Sequence, residues 1–220
     1  MQSKRRLLLA SLMATLTWLN PAHAQDTFKI GFILPMTGPF ASTGKQIEAA
    51  ARLYVAQNGS SVAGKKVELI FKDDTGAPDV TKRIAQELVV NDKVSVLAGF
   101  GLTPLALATA PIATQSKTPL VVMAAATSSI TEASPFVIRT SFALPQAAVA
   151  MGDWAAQNGI KKAVTMVADY GPGIDAEKFF KERLLLNGGQ VLESLRIPMR
   201  NPDFAPFLQK VRDLKPDAVY

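Results

Sequence analysis

From Phe28 onward the chain alternates between two kinds of segment: short apolar, β-branched runs, and longer stretches whose apolar residues recur at helical spacing. A sandwich would need strands in succession and a bundle would need none. The alternation therefore predicts an α/β fold built from parallel βαβ units. Strands are expected at Phe28 to Leu34, Val67 to Lys72, Val94 to Ala98, Leu120 to Met123 and Phe136 to Arg139. A second series is expected at Ala163 to Ala168, Gln190 to Ile197 and Asp217 onward.

The intervening segments carry their own signals. Ile47, Ala50, Ala51, Tyr54 and Val55 form one apolar stripe, and Val80, Ile84 and Leu88 form another. Asn58-Gly59 stops the first helix and Asp79 starts the second. Asn187-Gly188-Gly189 stops a later helix whose first turn is expected to carry Asp175 and Glu177. Asp203 is placed to cap a last helix presenting Phe204, Phe207, Leu208, Val211 and Leu214, which Lys215-Pro216 ends. Thr140 to Pro145 has no period and separates the two series, so it reads as a crossover between a first lobe (residues 25–142) and a second (143–220). The last strand is barely begun at Tyr220, so the second lobe is expected to be incomplete and the chain to be a fragment.

The first 24 residues are set apart from the fold. Lys4-Arg5-Arg6, an apolar run from Leu7 to Leu19, and Ala22-His23-Ala24 after Pro21 make the charged, apolar and small-residue regions of a secretory signal, cleaved after Ala24. The run is shorter than the roughly 20 residues that span a bilayer. An uncleaved anchor helix is the alternative. The expected product is exported to the periplasm. Cleavage removes three basic residues and no acidic one, which brings a formal net charge of +6 down to +3. The remaining Lys and Arg are scattered, so no nucleic-acid partner is expected.

The only histidine is His23 and there is no cysteine, so the segment that follows the signal has neither. Ser-His-Asp and Cys-His nucleophilic catalysis are excluded within it, along with thiolate and imidazole metal sites; no metal or cofactor is expected.

Several loops follow strand ends. Gly38-Pro39-Phe40-Ala41-Ser42-Thr43-Gly44-Lys45 imitates a phosphate-binding loop. Five residues rather than four separate its glycines, Gln46 stands where a Ser or Thr would hold magnesium, and Pro39 lacks an amide donor. After the third strand, Gly99-Phe100-Gly101-Leu102 leads to Thr103-Pro104, with Thr103 expected as the N-cap. After the fourth comes Ala124-Ala125-Ala126-Thr127-Ser128-Ser129, where small residues admit a ligand to the backbone and Thr127 and Ser128 offer hydroxyls. Each hydroxyl alone could be an ordinary cap. Three such loops at one sheet edge make a polar, uncharged crevice suited to a carboxylate. In the second lobe, Asp169-Tyr170-Gly171-Pro172-Gly173 ends a strand and places Tyr170 either over an apolar ligand or in half-buried packing. Asp73-Asp74 fits turn chemistry with Thr75-Gly76 better than a metal or catalytic pair.

Taken in order, these segments carry a resemblance: Lys29-Ile30-Gly31, Pro35-Met36-Thr37-Gly38-Pro39, Gly64 to Leu69, Asp73-Asp74, Val94 to Gly99, Ala124 to Thr127, Phe136 to Thr140, Tyr170-Gly171-Pro172-Gly173 and Leu214-Lys215-Pro216-Asp217. The chain resembles the substrate-binding proteins of the branched-chain amino acid type of ABC importers, over nearly all of the segment after the signal. That resemblance implies the type I periplasmic-binding-protein fold, two Rossmann-like lobes closing about a ligand, and a monomer read by a permease in the inner membrane. It places carboxylate-binding hydroxyls on Thr103 and Thr127, with the backbone of Ala125 between them, and the second-lobe aromatic on Tyr170. Thr43 stands where family members often have a Tyr. Gly76 and Leu102 stand where some members have a loop-linking disulfide. The ligand implied is an amino acid, branched-chain or related; the alternative is an aromatic or other carboxylic acid, with Tyr170 and Phe100 against it. A sensor domain without transport is a second reading. An enzyme is the least favoured, because Asp73, Asp74 and Asp169 lie on separate or surface-facing loops.

Overall fold

β1 (Thr27–Leu34), whose second half is buried throughout, is the axis on which the first lobe is wound. In the computed structural model, which describes residues 27–220, β1 pairs in parallel with β3 (Lys65–Asp73) on one side and with β4 (Val96–Gly99) on the other. β5 (Leu120–Val122) and β6 (Val137–Arg139) extend the sheet in parallel, and the short β2 (Ser61–Val62) closes the far edge antiparallel to β3. The order is β2-β3-β1-β4-β5-β6. The chain moves outward from β1 to β3, then returns to β1's other side. This reversal opens a crevice beyond the carboxyl ends of β1 and β4, where doubly wound sheets bind ligands.

Three helices complete this lobe. The first, α1 (Ala41–Asn58), lays Ile47 and Ala51 on the cluster of Phe32, Leu34 and Ala98, whereas Ala50 and Tyr54 of the expected stripe face outward. The second, α2 (Pro78–Val90), buries Ile84 and Leu88 on the opposite sheet face with α3 (Thr103–Ser116). Each fully buried Leu or Ile there contributes roughly 1.5–3 kcal/mol. An apolar hollow of about 470 Å³ lies between α1 and β1–β3, lined by Phe28, Ile30, Tyr54 and Val67 among others, with almost no polar surface.

The second lobe repeats the plan. β7 (Lys162–Ala168) lies between β8 (Gln190–Ile197) and β9 (Ala218–Val219), all parallel, so its sheet also reverses direction beside β7. Two helices, α4 (Leu144–Gln157) and α5 (Gly171–Leu186), share the core of Ala148, Ala155, Ala163, Phe180 and Leu184. The ring of Tyr220 stacks on Phe180 at 4.0 Å. The last helix, α6 (Ala205–Leu214), buries none of its residues, and Phe204 and Leu208 are about half exposed.

A strand forms in each of the eight expected segments, and the helix ends at Asn58-Gly59, Asn187-Gly188 and Lys215 lie where expected. Four details differ. Pro78, not Asp79, opens α2, and Ala77 is its N-cap. Leu102, not Thr103, is the N-cap of α3, because Pro104 tolerates the second helical position as well as the first. Asp203 accepts the Ala205 amide at 3.0 Å, but Phe204 is the N-cap of α6. Finally, α5 begins at Gly171, so Asp175 and Glu177 fall past its first turn and are buried. Three elements were not read from the sequence: β2, a 3-10 helix at Ser128–Glu132, and α4, whose first residues fall in the stretch expected to be a crossover. The sheets change between Arg139 and Lys162, and α4 within that interval packs with the second lobe. The expected signal, residues 1–24, lies outside the described residues. Among these, no helix is long and apolar enough to cross a membrane.

Candidate functional site

A relay of backbone hydrogen bonds fixes the loops at the first lobe's carboxyl edge. The Phe100 amide donates to the Ile33 carbonyl (2.9 Å), the Ala125 amide donates to the Phe100 carbonyl (3.1 Å), and the Met123 amide donates to Gly99 (2.8 Å). The relay holds the loop after β4 between the loops after β1 and β5. It requires Gly99 at φ +115°, where a Cβ would run into the Ile33 carbonyl, and Phe100 at φ +65°. The left-handed turn at Phe100 swings its ring inward: it is fully buried in the main core with Ile33, Leu97 and Leu120. The ring thus lies beneath the crevice as packing, not at its surface.

Above it, the two threonines meet. Thr103 Oγ1 and Thr127 Oγ1 lie 2.8 Å apart, with the residues 3% and 7% exposed. One hydroxyl donates to the other, which leaves the second hydrogen of the pair free to point elsewhere. Thr103 is the first residue of α3, where the helix dipole favours an anion; Pro104 has no amide hydrogen and the Leu105 amide donates to the Leu102 carbonyl, so that field, and not a row of free amides, is what the helix end supplies. Arg139, at the end of β6, donates from Nη1 to the Thr127 carbonyl at 2.6 Å and fixes that residue from behind. Ala125 is buried beside them. Its amide is engaged by Phe100, so the group it can offer a ligand is its carbonyl, an acceptor.

The second lobe closes over this edge at the start of α5. A Cβ built on Gly171 would lie 3.2 Å from both Thr103 Cγ2 and Thr127 Oγ1. Tyr170, the extended N-cap residue just before it, is half-buried, and that burial pushes its phenol above the ordinary value of 10.0, so it is a neutral O–H at physiological pH. Asp175, one turn along α5, accepts the Ser128 amide at 2.9 Å and the Ser128 hydroxyl at 2.7 Å. The Ser128 hydroxyl, expected to offer itself to a ligand, is therefore held by the opposite lobe. Thr43 lies in the first turn of α1, partly exposed, with its amide on the Phe40 carbonyl.

The structure thus brings Thr103, Thr127, Ala125 and the start of α5 together. It sets Phe100 beneath them in the core. Arg139 and Asp175 were missed as site residues; Arg139 stood in one of the recognised segments, but nothing local in the sequence marks Asp175 as reaching the other lobe.

The remaining motifs resolve as structure. Asp73 accepts the amides of Met36 (2.9 Å) and Thr75 (2.8 Å) and the Thr37 hydroxyl (2.7 Å), and Asp74 accepts the Gly76 amide (2.8 Å): turn chemistry joining two loops. In the phosphate-loop imitation, Gly44 allows α1 to sit on the Pro35 carbonyl, which a Cβ would strike. Among the described residues no cluster of three His, Cys, Asp or Glu is arranged for a metal.

Known proteins share this fold. Residues 27–220 match the family model described as periplasmic binding protein. A Leu/Ile/Val-binding protein homolog 6 from Brucella abortus (strain 2308) is 41% identical over 217 residues, covering 98% of this chain and 55% of its own. Among solved structures, the solute binding protein of an ABC transporter from Rhodopseudomonas palustris BisB5, in complex with 3,4-dihydroxy benzoic acid, is 61% identical with a TM-score of 0.84, over 88% of this chain and 53% of that one. A leucine binding protein, LivK, from Thermotoga maritima MSB8 is 29% identical with a TM-score of 0.80, over 88% and 55%. The chain spans about half the length of the relatives it matches.

Proposed function

The chain belongs to the periplasmic binding protein family, and from that premise we propose that it is part of an exported solute-binding protein which captures an aromatic carboxylate, of the hydroxylated benzoate class, for an ABC importer. The observation that carries this reading is the Thr103–Thr127 hydroxyl pair at the mouth of the first lobe, facing the start of α5. A free hydroxyl hydrogen near the first turn of α3 suits one carboxylate. Tyr170 is at the same edge and offers a ring and a neutral phenol to the rest of the ligand. The 61% identity to a protein solved with 3,4-dihydroxy benzoic acid supports the aromatic class.

A branched-chain amino acid is the second reading. The Ala125 carbonyl favours it, since an unengaged acceptor suits a ligand ammonium, as does the 41% identity to a Leu/Ile/Val-binding homolog. In either case no bond is made or broken. The ligand binds the closed arrangement better than the open one and so draws the lobes together. The partner is a permease of the inner membrane, the location is the periplasm after cleavage at Ala24, and the working state is a monomer. Calorimetric titration of the full-length protein with 4-hydroxybenzoate and with leucine tests the assignment. Heat from the aromatic acid supports it. Heat from leucine alone supports the second reading, and heat from neither contradicts both.

A further inference from the structure

Gly171 and Asp175 stand one helical turn apart on α5 and share a face. Both touch the first lobe, at adjacent residues: Gly171 comes against Thr127 and Asp175 holds Ser128. Asp175 is only 9% exposed, and each of its carboxylate oxygens accepts one hydrogen bond, one from the Ser128 amide and one from the Ser128 hydroxyl. A carboxylate is not buried at a boundary between lobes without such donors, and these come from the opposite lobe.

We propose that Asp175 and Ser128 form a latch between the lobes, which sets how tightly the protein holds its ligand without touching that ligand. The inference rests on the two-lobe binding reading. Thr127 and Ser128 are consecutive, yet they divide the work: the first hydroxyl joins the pair at the crevice and the second takes the carboxylate. When the lobes part, Asp175 and Ser128 both return to water, so their hydrogen bonds belong to the closed form alone. Asp175 is thus a positioning residue, and its removal shifts the closing equilibrium and lowers apparent affinity in proportion.

The test uses the full-length protein and two variants, Asp175→Asn and Ser128→Ala, titrated with 4-hydroxybenzoate and 3,4-dihydroxybenzoate. Each variant is expected to weaken binding about tenfold, the effect of losing one charge-assisted hydrogen bond. The loss should appear as faster dissociation with little change in association, and the double variant should be no weaker than the worse single one. Spin labels at Gln115→Cys on the first lobe and Lys181→Cys on the second report the distance between lobes directly. The variants should shift that distribution toward the open form, a change that a merely local packing role would not produce.

Unchanged affinity together with an unchanged distance distribution overturns the latch. Should Asp175→Asn fail to fold, Ser128→Ala, which removes one hydroxyl, decides by the same readouts. Should the unaltered protein bind neither acid, the ligand assignment fails by itself. The distances without ligand then decide the latch: a more open distribution in the variants supports it and an identical one overturns it.

Discussion

Gly171 of the second lobe faces the hydroxyl pair of the first so closely that a methyl group added there would lie 3.2 Å from Thr103 Cγ2 and from Thr127 Oγ1. That spacing is tighter than ordinary van der Waals contact, so the neighbours would have to yield by a few tenths of an ångström. The strain is confined to the closed form, since an open cleft separates these residues. Gly171→Ala should weaken ligand binding by more than it lowers the stability of the fold. Gly171→Val, with two more carbons, should weaken binding by about tenfold or more, the size of an overpacking penalty. Calorimetry beside a thermal melt separates the two effects; equal affinity in all three proteins would contradict the closed geometry.

The threonine pair makes its own prediction. Thr103→Val or Thr127→Val strands a buried hydroxyl, at about 1–3 kcal/mol of stability each, whereas replacing both removes the unpaired group together with its partner. The double variant should therefore be more stable than the two single losses added together suggest, with chemical denaturation as the measurement. Its ligand affinity should nonetheless be the poorest of the series.

Phe100 provides a contrast between stability and binding. Its ring is fully enclosed in the main core, so Phe100→Ala should lower stability by about 3–5 kcal/mol. Where the variant remains folded, its affinity should stay within about threefold, because the loop is held by the backbone bonds to Ile33 and Ala125. A selective loss of affinity with little loss of stability would instead place the ring against the ligand.

Asp73 gives a pH signature. Burial pulls its carboxyl upward, but the bonds from the Thr37 hydroxyl and from the amides of Thr75, Met36 and Thr37 outweigh it and hold the group below its ordinary value of 3.8. Ionisation thus favours the fold. The contribution is complete above 3.8 and drains away as the pH falls through that value toward the lower folded one. Asp73→Asn should be less stable than the parent at pH 7, and the gap should shrink below about pH 4. A gap that is constant with pH, followed by denaturant unfolding, would count against this account.

The strands were legible because parallel strands covered on both faces are apolar along most of their length, as β1 and β4 are. Helix ends were legible at Gly59 and Gly188, whose left-handed conformations the sequence announces. Phe100 was misleading because its orientation turns on a positive φ that a phenylalanine seldom adopts. Thr103 was expected to cap a helix by a local rule; it instead finds Thr127, 24 residues away, a pairing that depends on how β4 and β5 lie side by side. Asp175 was hardest of all, since its partner depends on the placement of one lobe against another, which no local periodicity encodes. The Asp73-Asp74 turn was legible because Asx turns close within two residues.

The most direct test of the central claim is the melting temperature of the full-length protein with 4-hydroxybenzoate, 3,4-dihydroxybenzoate and leucine in turn. A ligand present at 100 times its Kd stabilises the folded state by about 2.7 kcal/mol, enough to raise the melting temperature by several degrees. The account predicts a rise with the hydroxylated benzoates that is lost in the Thr103→Val, Thr127→Val double variant. A rise with leucine alone, or a rise with the benzoates that survives loss of both hydroxyls, would contradict it.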